Sequence, residues 1–433
     1  MSCTFIGPVV HSFKNDEITI IEEAAITVSN GKITSINLNS KTEDKSINAT
    51  IIRLKKGQFL CPGLIDLHIH ASQFPNICLG MDKPLLEWLR TYTIPLEKKY
   101  NDINFAEKIY NYIVNTTLKC GTTTACYYAT IYRQSTEKLA QIASDLGQRA
   151  LIGKVNMNQN SVLDYVETTE DSLKETEEFI QSVKKLNDPL IEAVITPRFA
   201  VSCDMDLLKG LGALASKHHL YIQTHVSENK EEVDFVSKLF PESKNYSEIY
   251  DKANLLTTKT ILGHGVYLTN EEHTLLSGKG VAIAHCPNSN TMLQSGECDV
   301  RTLWKNGINV GLGTDVAGGC NPSIIDTMRS ALANSLHISF HNQNHIPLNY
   351  HEVFYMATLG GAQALRKDHL IGNFVEGKEF DALIVDMNIG SSLSGSLQEH
   401  TLLELVQKFI YSGDDRNIDS VYVKGKLVSS KQK

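Results

Sequence analysis

Eight short apolar runs punctuate the middle of the chain. They are GLIDLHIHA (63–71), TTTACYY (122–128), RALIGKVN (149–156), IEAVITPRF (191–199), LYIQTHVSE (220–228), TILGHGVYL (260–268), VAIAHCPNSN (281–290) and INVGLGTDVAGG (308–319). Runs of this length read as strands. Between them lie stretches with the spacing of amphipathic helices, such as Leu207, Leu208, Leu211, Leu214 and Ala215 at i, i+1, i+4, i+7 and i+8. Further helices are expected near 103–118, 135–146, 170–185, 229–240 and 323–337. Strands alternating with helices eight times predict an α/β fold, a (β/α)8 TIM-type barrel.

The two ends follow another rhythm. Residues 25–38 (AITVSNGKITSINL) alternate apolar and polar positions around Asn30-Gly31, a strong hairpin signal. Residues 380–387 form a strand run, and VYVKGKLV (421–428) is a second hairpin turning at Lys424-Gly425. The economical arrangement is one small β-sandwich domain built from both termini, residues 1–60 plus 375–433, flanking a barrel of residues 61–374.

Composition narrows the functional classes. The chain has 433 residues, a formal charge of −8 and 42% hydrophobic residues, an ordinary globular profile. An acidic chain without a basic block is a poor partner for nucleic acid or an anionic membrane. No apolar stretch reaches the roughly 18 residues of a membrane span, and residues 1–13 lack a signal-peptide pattern. Nine scattered cysteines with no C-x-x-C pair argue against a disulfide framework or a cysteine-rich zinc site. A cytoplasmic protein is the expectation.

Functional side chains of such a barrel sit at the C-terminal ends of its strands. The first strand ends His68-Ile69-His70, and residues i and i+2 face the same side, so both imidazoles point at the barrel mouth. The fifth ends His225-Val226-Ser227-Glu228, the sixth carries His264, and the eighth leads to Asp315. Imidazoles and a carboxylate converging on one mouth suit a zinc-class ion with a position left open for water. The H-x-E…P-C-x-x-C signature of the other zinc-deaminase fold is absent, since Cys286-Pro287 has the reverse order.

PGLIDLHIHASQ (62–73), THVSEN (224–229), LGHG (262–265), HCPNSN (285–290) and GLGTDVAGG (311–319) resemble the amidohydrolase superfamily, deaminase branch. Within it, PLLEWL (84–89), GTTTACYYATI (121–131), TPRF (196–199), KEFDA (378–382) and GDDRNI (413–418) are similar to the guanine deaminases. The resemblance spans nearly the whole chain. It implies His68, His70, His225 and Asp315 as ligands of one zinc per chain, with Fe2+ the alternative. It implies Glu228 as proton shuttle, His264 as the residue orienting the attacking water, and Gln73, Arg198 and Phe199 as the purine holders, with His225, Glu228 and Asp315 also touching substrate. The implied reaction converts guanine to xanthine and ammonia through a zinc-bound hydroxide, and the implied assembly is a homodimer.

The chemistry asks for such residues. Water needs a metal to ionise near neutrality, and attack at C2 of a purine requires that a ring nitrogen gain a proton at the same time. Arg198 offers a donor fork to the C6 carbonyl, Gln73 both a donor and an acceptor, and Phe199 a stacking face. Trp88 either walls the pocket or belongs to the core, and His285 either lines the pocket or is structural. Asp66 anchors nearby backbone, His218 and His219 read as solvated, and the glycines at 311, 313, 318 and 319 as tight turns. Two rival readings remain: a deaminase or chlorohydrolase acting on another heterocycle, and a non-catalytic barrel used for assembly.

Overall fold

The computed structural model describes residues 2–38, 50–389 and 398–431. Its core is a ring of eight parallel strands: β1 (Leu64–His70), β2 (Thr122–Tyr128), β3 (Arg149–Gly153), β4 (Ile191–Pro197), β5 (Tyr221–Val226), β6 (Thr260–His264), β7 (Ala282–His285) and β8 (Asn309–Leu312). All eight coincide with the expected runs. Every residue of β1, β2 and β3 is buried, as strands covered on both faces must be. The seam between β8 and β1 is closed at the mouth, where Asp315 N donates to His68 O at 2.8 Å and His70 N to Val316 O at 3.0 Å.

Helices cover the outside. In Met205–His218, Asp204 caps the first turn by accepting from Leu207 N, and His219 ends it in the left-handed region at φ 55°. The stripe of Leu207, Leu208, Leu211 and Ala215 is buried against the barrel. Each of those leucines contributes about 2 kcal/mol of transfer free energy. His218, expected to be solvated, instead sits between Glu177 and Lys184, with its Nε2 2.9 Å from Glu177 Oε2. A polar partner on the neighbouring helix drew it in. His219 is exposed as expected.

The termini form a separate mixed sheet. Its order is Lys426–Ser430, Ile418–Val423, Ala382–Asp386, Gln58–Pro62, Ser2–Lys14, Glu17–Ser29 and Lys32–Leu38, with Thr50–Arg53 also on Ser2–Lys14. Both expected hairpins are present, closing Ser29 on Lys32 and Val423 on Lys426. Phe5 and Tyr422 lie three strand spacings apart, roughly 14 Å in a flat sheet. Their rings are 5.0 Å apart, so the sheet curls around a core that also holds Phe380. Arg149 of β3 ties barrel to sheet, pairing in a buried cluster with Asp381 at 3.0 Å and Glu379 at 2.7 Å.

One connection shapes the mouth. After β1 the chain runs through short helical turns, Ala71–Asn76, Leu85–Trp88, Leu89–Thr93, Ile94–Glu97 and Lys98–Asn101, before the long helix Ile103–Lys119. Among the described residues no helix is long and apolar enough to cross a membrane.

Candidate active site

His68 and His70 alternate with Ile69 along β1, so both imidazoles enter the mouth while Ile69 packs into the core. Asp66, one step deeper, braces the seam: its Oδ1 accepts from His68 N and Thr314 N, and its Oδ2 from Thr314 Oγ1 at 2.6 Å. Burial pushes that carboxyl up to about 7. His225 is the penultimate residue of β5 and His264 ends β6, and neighbouring strands place them side by side with stacked rings 5.5 Å apart. His264, Asp315 and Ser227 all hold left-handed backbone, with φ of 72°, 46° and 48°. Non-glycine residues there cost of order 1–3 kcal/mol each, and such strain gathers at functional sites.

Four donors converge. One ligand atom each from His68, His70, His225 and Asp315 lies within 4.8 Å of the others. His70 Nε2 is 3.1 Å from His225 Nε2, and both His68 Nε2 and His70 Nε2 are 3.3 Å from Asp315 Oδ1. A tetrahedral cation at about 2.0–2.1 Å from each donor separates its donors by roughly 3.3 Å. His68 Nε2 is buried without a hydrogen-bond partner, which fits a lone pair directed at an ion. Burial pushes all three imidazole pKa values down, His70 to about 4, which keeps the rings in the neutral form a metal requires. Burial alone would raise Asp315, but the His68 and His70 imidazoles, each 3.3 Å from its Oδ1, outweigh it and hold the carboxyl well below its usual range. His225 Nδ1 donates to Arg198 O at 2.5 Å, fixing which nitrogen faces inward.

Room for these rings comes from two glycines. A Cβ on Gly263 would lie 2.9 Å from His68 Cε1, and one on Gly313 would lie 2.8 Å from His68 Cβ. Gly311 lies within β8, and none of Gly311, Gly313, Gly318 and Gly319 has a positive φ. Gly318 sits in the turn at 317–318, as expected, and close approach of neighbouring atoms applies at all four glycines.

Beside the cluster opens a cleft of about 380 Å3, including its mouth, lined among others by His70, Gln73, Trp88, Arg198, Phe199 and Glu228. His225 and Asp315 form its floor. Glu228 is buried, and that burial, reinforced by Asp315 and Glu232, raises its carboxyl well above the usual range. Ser295 Oγ donates to Glu228 Oε1 at 3.1 Å, leaving Oε2 3.3 Å from His264 Nε2. His264 Nε2 is also 3.8 Å from Asp315 Oδ2, and its Nδ1 donates to Asn290 Oδ1 at 2.8 Å. All nine sequence-selected residues thus meet at one mouth. Trp88 both lines the cleft and packs in the core, with its indole N–H donating to Leu79 O. His285 is buried, and it is not among the residues lining the cleft.

Sequence reasoning missed four residues. Glu97 accepts from Arg198 and Gln73, Asn290 orients His264, Ser295 holds Glu228, and Glu232 accepts from Glu228 N at 2.8 Å. Asn290 lies inside the HCPNSN segment and could have been found there. Glu232 completes an Asn229-x-x-Glu232 capping box, a local signal for a helix start but not for the site, and Glu97 and Ser295 carry no local signal.

Comparison with known proteins agrees with this geometry. The profile described as "Amidohydrolase family" matches residues 59–428. A guanine deaminase of Dictyostelium discoideum is 42% identical over 438 residues, covering 98% of this chain and 97% of that protein. The human guanine deaminase is 44% identical over 439 residues, covering 98% and 96%. A crystal structure of guanine deaminase from C. acetobutylicum with bound guanine in the active site superposes with a TM-score of 0.93 at 36% identity, covering 99% of this chain and 100% of that one.

Proposed function

As the chain belongs to the amidohydrolase family, a metal-dependent group of hydrolases, we propose that it deaminates guanine hydrolytically to xanthine and ammonia. The observation that carries the reading is the meeting of Arg198, Gln73 and Phe199 with Glu228 and the histidine–aspartate cluster in one cleft. Guanine deaminases also match along nearly the whole chain at 42–44% identity.

His68, His70, His225 and Asp315 would hold the ion, and zinc suits three nitrogens and one carboxylate oxygen. When bound, such an ion supplies a water acidic enough to ionise near neutrality. The remaining work belongs to the side chains. Arg198 and Gln73 hold the purine edge while Phe199 packs on its face, which presents C2 to the attacking water. Asp315 takes one proton of that water at Oδ2, and His264 Nε2, beside it, orients the oxygen. Glu228, protonated in its buried setting, gives a proton to the adjacent ring nitrogen as the C2–O bond forms. Ionised Glu228 then takes the proton of the new C2 hydroxyl and passes it to the C2 amine, and the proton held by Asp315 restores Glu228. The C2–N bond then breaks, ammonia leaves and the carbonyl of xanthine remains.

A cytosolic homodimer completes the reading. All nine cysteines are free thiols, which suits a reducing compartment. Leu336 and Phe340, exposed on the helix Ile324–His341, offer apolar surface for a second copy to cover.

The test is ammonia release by zinc-loaded protein from guanine, adenine, cytosine and triazines side by side. Guanine turnover with xanthine as product is expected. Turnover of another ring without guanine would reject the reading, and a preparation that neither binds metal nor turns over any ring would return the chain to a scaffold role.

A further inference from the structure

Glu97 closes the helical turn Ile94–Glu97, fully buried, and the reaction as described gives it no task. Three side chains donate to it. Arg198 reaches Oε2 with one terminal nitrogen at 2.7 Å and Oε1 with the other at 3.4 Å. Gln73 Nε2 donates to Oε1 at 3.1 Å, and Tyr165 OH to Oε2 at 2.8 Å. Two of these donors, Gln73 and Arg198, also line the cleft.

An ionised carboxylate only accepts. Beside it, the Gln73 amide turns its NH2 toward Glu97, and its carbonyl oxygen, which accepts from Ala317 N at 3.4 Å, keeps a second lone pair for a donor in the cleft. The two-oxygen grip likewise fixes the plane of the Arg198 guanidinium, whose remaining N–H groups have only donor character to offer. The cleft therefore shows an acceptor from Gln73 and a donor from Arg198, and the carboxylate behind them sets that order.

We propose that Glu97 is a positioning residue that selects substrates by edge polarity: through it the site prefers a lactam edge, a ring carbonyl with a ring N–H, to an amidine edge. This rests on the guanine reading, since guanine carries such an edge beside its amine. On an amidine edge the exocyclic amine meets the donors of Arg198, and the bare ring nitrogen meets the Gln73 oxygen. Both sets of buried groups are then left unpaired, a mismatch that polar sites reject strongly.

Glu97→Gln tests the idea. The new amide can accept from Arg198 and donate to Gln73 Oε1, which frees Gln73 to turn its NH2 into the cleft. Two pairs of probes read the outcome in zinc-loaded protein. Guanine and 2,6-diaminopurine share the C2 amine and differ at C6, and both are assayed for ammonia release. Hypoxanthine and adenine lack that amine, and their binding is measured by calorimetry. We expect wild-type protein to favour the lactam member of each pair by about tenfold or more. In Glu97→Gln both ratios should shrink toward one, with guanine KM rising more than kcat falls and metal content unchanged. Glu97→Asp should keep the preference.

The exchange Glu97→Gln with Gln73→Glu keeps one acid and one amide in contact and returns an acceptor to the cleft. It should retain the lactam preference, and it serves if the single variant does not fold. Equal losses on both members of a pair, or no lactam preference in the wild-type protein, would overturn the proposal. A wild-type protein that binds hypoxanthine over adenine but releases no ammonia from guanine would overturn the activity reading and leave this one standing.

Discussion

Arg198 accepts from His225 Nδ1 through its backbone carbonyl at 2.5 Å and pairs with Glu97 Oε2 through its guanidinium at 2.7 Å. One residue thus orients a metal-cluster imidazole with its main chain and faces the substrate cleft with its side chain. The two tasks are separable by mutation, because truncating the side chain leaves the carbonyl in place.

Arg198→Ala should therefore keep its metal, measured as ions per chain by elemental analysis. Loss of a charged hydrogen bond, about 1.5–3 kcal/mol, corresponds to a guanine KM raised roughly 10- to 150-fold. Removing one partner of a buried pair is also destabilising by about 3–5 kcal/mol, so the thermal midpoint should drop. Metal loss in this variant would mean that His225 depends on the guanidinium after all.

Glu228→Gln preserves shape and the bond from Ser295 but cannot pass a proton on. Ammonia release should fall by about 10²- to 10⁴-fold, the usual worth of proton transfer by a positioned group. Metal content should stay normal. Retention of half the activity would remove Glu228 from the proposed proton path.

Gly263→Ala probes the packing beneath the cluster. The added methyl would come 2.9 Å from His68 Cε1, tighter than real contacts allow, and Gly263 pairs directly with His225 in the ladder. The His68 ring must move. Perturbing groups that orient metal ligands typically weakens binding about 10- to 100-fold, which competition with a chromogenic chelator would measure. Unchanged affinity would show that the ring has slack.

His11 supplies a pH dependence remote from the cleft. Burial, with help from Lys378, lowers its pKa to about 4, and its Nδ1 accepts from Phe374 N. In the unfolded chain the ring takes its proton near 6.5. Between those values only the unfolded chain binds the proton, so stability is full above pH 6.5 and falls as the solution is acidified toward 4. The complete loss is roughly 3 kcal/mol. Urea unfolding of His11→Gln should show a flatter slope than wild type across that window, and an equal slope would exonerate the ring.

The barrel was legible because its strands announce themselves twice, as buried apolar runs and as polar residues at their ends. His68 and His70 follow from the two-residue period of a strand, His264 from its place at the end of β6, and Asp315 from its place after β8. Glu97 was not legible. It sits in Glu97-Lys98-Lys99, a charge pattern typical of an exposed turn, and only tertiary wrapping of the β1–β2 connection over the mouth buries it. Ser295 is hidden for the same reason, since its partner Glu228 comes from a different segment, whereas Glu232 was legible as a capping-box acid but not as a partner of Glu228 N. The inward turn of His218 likewise depended on Glu177 of the neighbouring helix, which no local pattern reveals.

The pairing of Gln58 with Asp386 and of Pro62 with Ala382 has a consequence for biosynthesis. On a ribosome adding about 5–20 residues per second, the strand Gln58–Pro62 waits for tens of seconds before its partner exists. Throughout that interval a largely apolar edge, Phe59-Leu60-Cys61-Pro62, stands open to other chains. Translation speed and chaperone supply, more than the chemistry of the mouth, should then govern how much of the newly made polypeptide matures without clumping.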